Sequence, residues 1–211
     1  MISLKVMRNA GRRTGLLMLS MLAMLLSACT ILPTAPISQV YLLPVPPATN
    51  TPRAQTVDWS LRVSQPMTSQ FLNSSRIAVQ PQGQEIAVYQ NSRWSDPAPI
   101  LLRNRLIQEF RADGRIRAVS SDDDSLQADI ELSGDLSAFQ GVYLTDRSEV
   151  LISFDARLVR ISDRRIIATR HFEIRQPIKG TDMNEVVEAF GLASDKLSAQ
   201  VLNWMLQQSL Q

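Results

Sequence analysis

The alternation of apolar and polar residues between residues 128 and 174 constrains the fold more than any other feature of the sequence. Two segments, 128–136 and 150–158, place an apolar residue or glycine at every second position, and 166–174 continues the pattern less strictly. Period two predicts strands that bury one face. The short connections between them, such as Ser162-Asp163-Arg164, predict an antiparallel meander whose apolar face other elements must cover.

Two segments with a helical period supply that cover. A first helix is predicted after Ser95-Asp96-Pro97, where a capping side chain precedes a proline, and Gly114 is predicted to end it. A second is predicted from about 181 to 208, beginning with the capping-box pair Asp182 and Glu185. The polar face of the first helix comprises Arg103, Asn104, Gln108 and Arg111. The apolar stripe of the second comprises Val186, Phe190, Ala193, Leu197, Val201 and Trp204.

Shorter apolar segments predict the remaining strands. A strand near 40–43 is flanked by prolines and is therefore predicted at a sheet edge. Alternation predicts a strand from 57 to 63, and the segments 77–79 and 86–89 form a predicted hairpin. A brief strand at 116–119 precedes a polar loop. Together these elements predict an α+β fold, a single-domain sandwich of a mainly antiparallel β-sheet with two amphipathic helices on one face.

The single cysteine follows a short apolar segment near the amino terminus. Four basic residues precede the eleven residues from Leu16 to Leu26, as in the charged and apolar regions of a secretory signal. A helix over those residues would be about 16 Å long, too short for about 30 Å of hydrocarbon. The closing Leu26-Ser27-Ala28-Cys29 resembles the bacterial lipobox. That resemblance implies cleavage between Ala28 and Cys29 and covalent attachment of diacylglycerol and a further acyl chain at Cys29.

Two other interpretations of this segment stay open. An ordinary signal peptide is also cleaved after small residues, and Cys29 would then be a spectator. A retained anchor extended through Ile31 and Leu32 would reach 17 residues, the lower limit for a spanning helix. Two or more acyl chains hold a protein stably at a membrane, whereas one chain holds it marginally. Lipidation would therefore localise the body without any apolar surface of its own.

The predicted organisation is a signal peptide at 1–28, a lipidated, proline-rich tether at 29–56 and a folded domain at 57–211. The whole chain has 22 basic and 20 acidic residues, a net charge of +2. All four charges in 1–28 are basic, so removing that segment leaves 18 basic and 20 acidic residues, a net charge of −2. A basic domain that binds nucleic acid is therefore not expected.

No catalytic constellation can be named from the sequence. His171 is the single histidine and alternates onto the polar face opposite Phe172, so a catalytic triad or a histidine metal cluster lacks partners. Asp122-Asp123-Asp124 lacks EF-hand spacing and is predicted to be a solvated loop. We therefore expect no enzymatic activity, no metal and no cofactor beyond the lipid on Cys29. Arginines on nearby strands are predicted to balance an acidic row across the sheet: Arg157, Arg160 and Arg175 against Asp129, Glu131 and Asp135.

Two segments are candidate contact sites. Arg93-Trp94 precedes the first helix, where a large aromatic residue either fills the core or anchors an interface. Residues 139–144 either continue a strand around a glycine bulge or form an exposed apolar tip that touches lipid or a partner. The candidate contact residues are Arg93, Trp94, Val142, Tyr143 and Leu144.

Several segments resemble the ABC-type transport auxiliary lipoprotein family, which includes the lipoprotein of the paraquat-inducible operon. They are Tyr41-Leu42-Leu43-Pro44, Glu85-Ile86-Ala87-Val88-Tyr89, Asn91-Ser92-Arg93-Trp94-Ser95-Asp96 and the carboxy-terminal helix. The resemblance implies a lipid-anchored protein on the periplasmic face of the outer membrane. The resemblance further implies that the protein acts together with an MCE-type protein and an ABC transporter to move lipids between membranes. Thr30 after the cysteine, rather than Asp, implies outer-membrane sorting in enteric-like lipoproteins.

The leading hypothesis is therefore a non-catalytic auxiliary component of an ABC/MCE-type intermembrane lipid transport system. Its expected partners are outer-membrane lipid and an MCE-type protein with its ABC transporter, and a homo-oligomer is left open. One alternative is a periplasmic carrier that holds lipid in a pocket between the sheet and the helices. Another is a cell-envelope hydrolase, for which no nucleophile and base can be named.

Overall fold

The computed structural model describes residues 38–45 and 56–208. The lipobox, the predicted signal peptide and most of the predicted tether lie outside these residues. The strands are β1 (Gln39–Tyr41), β2 (Leu61–Val63), β3 (Met67–Thr68), β4 (Arg76–Gln80), β5 (Ala87–Trp94), β6 (Val119–Ser121), β7 (Ile130–Tyr143), β8 (Ser148–Arg160) and β9 (Arg165–Pro177). The helices are α1 (Ala98–Asp113) and α2 (Met183–Leu206).

Strand β7 is the centre of the sheet. It pairs with β8 along its whole length, and β8 pairs with β9, both antiparallel, which confirms the predicted meander. The opposite edge of β7 receives β2, β3 and β4 one after another, each parallel to it. The sheet is therefore antiparallel in its long ladders, as predicted, and parallel where the short strands join.

The predicted edge strand and hairpin are both present. Strand β1 pairs only with β5 in the described sheet and is parallel to it, and β4 with β5 forms the antiparallel hairpin. The backbone N–H of Ser95 donates to the carbonyl of Tyr41 at 2.9 Å. A Cβ placed on Gly191 of α2 would lie 3.1 Å from the Cβ of Pro44, so the chain three residues after β1 packs closely on that helix.

Two predicted strands differ from the structure. The strand expected at 57–63 is reduced to Leu61–Val63, and Val57 makes only an isolated bridge to Ile116. The strand expected at 116–119 instead covers Val119–Ser121. A strand forms where its backbone exchanges hydrogen bonds with a neighbouring strand. β2 lies beside both β6 and β7 only from Leu61 onward.

The two helices begin differently. Pro97 is the N-cap of α1 and no side chain caps it, so the predicted capping by Ser95 or Asp96 is wrong. Pro99 lies in the first turn and has no N–H, which leaves fewer donors to satisfy. The capping box of α2 is confirmed: Asp182 accepts from the N–H of Asn184 at 3.2 Å, and Glu185 accepts from the N–H of Asp182 at 3.0 Å.

Both helices cover the same face of the sheet. Helix α2 lies against β8 and β9, and α1 lies against β2, β6 and α2. The centre of this layer is aromatic: the Phe190 ring lies 5.1 Å from Trp94 and 4.9 Å from Phe139 between centroids. All six residues predicted for the apolar stripe of α2 are buried. The α+β sandwich with both helices on one face is thereby confirmed.

Candidate functional site

The two ends of strand β7 define the two candidate contact regions. Strands β4 and β7 finish, and β5 and β8 begin, at one end of the sheet, which we call the tip end. Strand β7 begins and β8 finishes at the other, which we call the far end. Fourteen residues of β7 separate the ends by about 45 Å at the rise of an extended strand.

Three partly exposed apolar side chains lie at the tip end. Ile86 is 42% exposed, Tyr143 is 41% exposed and Leu144 is 40% exposed, and we call this set the tip cluster. The pairing of Gln80 with Val142 brings the β4–β5 and β7–β8 hairpins side by side. The two hairpins therefore present the tip cluster together.

Tyr143 of the tip cluster packs against Tyr89 of the neighbouring hairpin. The rings of Tyr89 and Tyr143 meet edge to face, 6.3 Å apart. Gly141 makes this possible, because a Cβ at that position would lie 2.5 Å from the Tyr89 hydroxyl. That hydroxyl is buried and has no hydrogen-bond partner of good geometry within 38–45 and 56–208. Burial, with a smaller contribution from Tyr143, raises the pKa of Tyr89, so the phenol stays protonated.

The structure separates the five predicted contact residues. Trp94 is fully buried against Phe139 and Phe190, so the core interpretation applies to it and an interface role is wrong. Val142 is 7% exposed and is also not a surface contact. Arg93 is exposed but lies in register with Val40 at the sheet edge, away from the tip cluster. Of these five residues, Tyr143 and Leu144 belong to the tip cluster.

The segment that carries these residues continues β7 as far as Tyr143. The irregularity in its pairing with β8 falls between Leu136 and Ala138, so the predicted bulge at the glycine is wrong. Ile86 was missed by sequence reasoning. It begins a run of consecutive apolar residues, so the sequence shows no alternation that would indicate which side chains are exposed. Its position in the tip cluster depends on parallel pairing between residues about 60 positions apart.

A cleft of about 730 Å³ lies at the far end. Trp59, Arg62 and Arg160 contribute to its wall. Asp129 accepts hydrogen bonds from the hydroxyl and the N–H of Ser60 at 2.6 and 2.7 Å, which hold the pKa of its carboxyl below the ordinary value. The cleft is therefore a polar surface with one aromatic wall.

The face of the sheet opposite the helices carries ion pairs. Arg157 lies 2.8 Å from Asp135, as predicted. The other predicted partners differ: Glu131 pairs with Arg62 at 2.8 Å, and Arg175 pairs with Glu149 at 2.5 Å. His171 is exposed on this face, as predicted, and its Nδ1 lies 2.8 Å from Asp155.

The aspartate loop after β6 is not simply solvated. Arg103 of α1 was predicted on a polar face, yet it is 5% exposed. Its Nη1 lies 2.7 Å from Asp122 and 2.8 Å from Asp123. The loop thus neutralises a buried cation. Within the part of the chain that the structure describes, no group of three or more His, Cys, Asp or Glu side chains is arranged to hold a metal.

Neither described helix has the length and apolar character needed to cross a membrane. The model of the family described as ABC-type transport auxiliary lipoprotein component matches residues 41–202, more than half of the chain. An uncharacterized protein from Bradyrhizobium diazoefficiens is 26% identical over 153 residues, which are 72% of this chain and 41% of that relative. This chain therefore spans less than half the length of that relative.

Two crystal structures are similar in fold. A Xanthomonas campestris protein of the family DUF330 superimposes with a TM-score of 0.72 at 29% identity, covering 80% of this chain and 95% of that one. A second, uncharacterized protein gives a TM-score of 0.63 at 19% identity, covering 80% and 98%. The family match over residues 41–202 shows that the chain belongs to the ABC-type transport auxiliary lipoprotein component family.

Proposed function

We propose that this protein is a non-catalytic auxiliary lipoprotein, held at the periplasmic face of the outer membrane, in an ABC/MCE-type lipid transport system. The observation that carries the proposal is the family match over residues 41–202, which follows a lipobox ending at Cys29. Acyl chains on Cys29 hold the protein at the membrane. The partners are outer-membrane lipid and an MCE-type protein with its ABC transporter.

The mechanism that we propose is positional. Nine residues lead from Cys29 to Ser38, where the described body begins, and they reach at most about 30 Å when fully extended. The body is packed around one described core, so it can act as a rigid docking unit for the transporter. The protein then contributes location and contact, and the chemistry of transport belongs to its partners.

Membrane fractionation tests the anchor. The parent chain is expected in the outer-membrane fraction and to incorporate radiolabelled palmitate, whereas Cys29→Ser is expected to lose both, because two acyl chains are needed for stable attachment. Thr30→Asp is the matched control for sorting: it should keep the palmitate and move to the inner membrane. Palmitate retained by Cys29→Ser would refute lipidation at Cys29.

Affinity capture tests the partner. The acylated full chain, extracted in mild detergent, is expected to recover an MCE-type protein and its transporter. Cys29→Ser separates docking from anchoring, because a preserved body should still bind the solubilised partner. Recovery of only unrelated cell-wall proteins by the parent chain would argue against the transport role.

A further inference from the structure

We propose that the tip cluster rests in the surface of the lipid layer that holds the acyl chains of Cys29. The proposal rests on the lipid attachment in the proposed function and goes beyond it, because it assigns an orientation and a second point of membrane contact. Ile86, Tyr143 and Leu144 are the contact residues.

The direction of β1 supports this orientation. Strand β1 is parallel to β5, with Gln39 beside Ser92. Since β5 begins at the tip end, the chain that leads back from Gln39 leaves the sheet toward that same end. Ile86 lies six residues before Ser92, a distance of about 20 Å along an extended strand.

The length of the connection allows the contact. The nine residues from Thr30 to Ser38 span up to about 30 Å. This length exceeds the axial distance of about 20 Å from Gln39 to the tip cluster. The lipid surface can therefore meet the tip without any reversal of the chain, whereas the far end would reach that surface only if the chain turned back.

The chemistry of the tip fits an uncharged lipid interface. Ile86 and Leu144 are aliphatic, and tyrosine has an apolar ring with a polar hydroxyl, the combination found at membrane interfaces. Asp146 and Arg147 in the β7–β8 turn lie 3.6 Å apart and offset each other. Glu85 adds a negative charge, so attraction to anionic lipid is not the driving force.

The two hairpins are held together as one surface. Gln140 donates from Nε2 to Oε1 of Gln80 at 2.8 Å, and the Tyr89–Tyr143 ring contact joins the same two hairpins on the other face of the sheet. Because these contacts fix both hairpins, Ile86 and Leu144 should enter the lipid surface together. A label on either hairpin then reports the same contact.

The lone cysteine permits a direct test with the acylated full chain. When Cys29 carries a thioether lipid, Leu144→Cys supplies the one thiol for an environment-sensitive NBD label. The labelled protein is placed in phosphatidylcholine vesicles that contain nitroxide-bearing lipid. Ile86→Cys is the second probe on the other hairpin. Ile166→Cys is the matched control, since Ile166 is a 55% exposed aliphatic residue at the start of β9, at the far end.

We expect an increase of about twofold in NBD fluorescence at positions 144 and 86, with quenching by nitroxide lipid, because the label leaves water for apolar surroundings. The NBD fluorescence at position 166 should stay at the level measured in water, and nitroxide lipid should not quench it. Equal quenching at all three positions, or none at 144 and 86, would overturn the proposal. Labelling of the parent chain at Cys29 would instead refute lipid attachment, and with it both the proposed function and this orientation.

Discussion

The guanidinium of Arg105 on α1 forms an ion pair with the carboxylate of Asp195 on α2, and only 2% of the arginine side chain is exposed. Glu109 offers a second carboxylate at 3.4 Å. The Nε and Nη1 atoms of Arg105 are nevertheless buried without a hydrogen-bond partner among the described residues. Burial lowers the pKa of Arg105, against the opposing charge of Glu109. The pair joins the two helices but leaves two donors unsatisfied.

The two partners of this ion pair should therefore respond differently to substitution. Asp195→Asn is expected to lower the free energy of unfolding by about 3 kcal/mol, because it strips a buried cation of its main counter-charge. Arg105→Met is expected to cost less than about 1 kcal/mol, or to stabilise, because it also removes the unsatisfied donors. Urea denaturation measures both changes. A larger loss for Arg105→Met would contradict this reasoning.

The contact between Arg103 and Asp122 should make stability depend on acid pH. Burial acts to raise the pKa of Asp122, but the N–H of Gln65 and the guanidinium of Arg103 outweigh it, and the pKa is lowered. A lowered carboxyl pKa stabilises the fold above the unfolded value of about 4 and loses that stabilisation as the pH falls through the folded value. Asp122→Asn is thus expected to cost about 1–2 kcal/mol at pH 7.

The pH dependence and a neighbouring residue provide the checks. The difference between parent and Asp122→Asn should shrink as the pH falls below the unfolded value of about 4 and through the lowered folded-state pKa, because the parent carboxylate becomes protonated over that range. Asp123→Asn is the matched control: its side chain is 73% exposed, and exposed ion pairs contribute about 0.5 kcal/mol. Denaturation at pH 7 and pH 3 measures all three chains. A pH-independent difference would show that Asp122 acts by shape alone.

The close approach of Tyr89 to Gly141 predicts a coupled pair of substitutions. Gly141→Ala should cost about 1–3 kcal/mol, because the new methyl group overlaps the Tyr89 hydroxyl. Tyr89→Phe alone should be nearly neutral or stabilising, since it removes a buried hydroxyl that has no hydrogen-bond partner of good geometry among the described residues. The double variant should lose less than the sum of the singles. Thermal or chemical unfolding in a double-mutant cycle tests this, and strict additivity would disprove the contact.

The aromatic layer between the sheet and α2 predicts that the body holds no lipid. Trp94, Phe139 and Phe190 contact one another where a carrier would need a cavity. Native mass spectrometry of gently purified protein is expected to show the mass of the acylated chain without a further lipid. One bound lipid per chain would support the carrier hypothesis instead.

The parts of the fold that the sequence predicts are those determined locally. Strict alternation in 128–136 and 150–158 predicts β7 and β8, because each strand pairs with its neighbour in the chain. Asp182 and Glu185 predict the start of α2, because the capping box is closed within four residues. Strands β2 and β6 were misplaced because their ends depend on partners far away in the chain.

The burial of a charged side chain on α1 was also not predicted from the sequence. Arg103 was predicted on the polar face of α1 but is buried, as is Arg105 two positions further on. Their counter-charges, Asp122 and Asp195, come from a loop and from the other helix. Tyr143 and Leu144 lie in the segment for which an exposed apolar tip was one of two interpretations left open by the sequence, whereas Ile86 required knowledge of the parallel pairing of β4 with β7.

The length of β7 has a consequence for how such a body can vary. A single inserted residue either turns every following side chain to the opposite face or is absorbed by a bulge, as between Leu136 and Ala138, so regular extension of the strand comes in steps of two residues. Each step adds about 7 Å, and β8 must lengthen with it because the two are paired from end to end. Regular extension would therefore change the height of this body in discrete increments, matched across both strands of one hairpin.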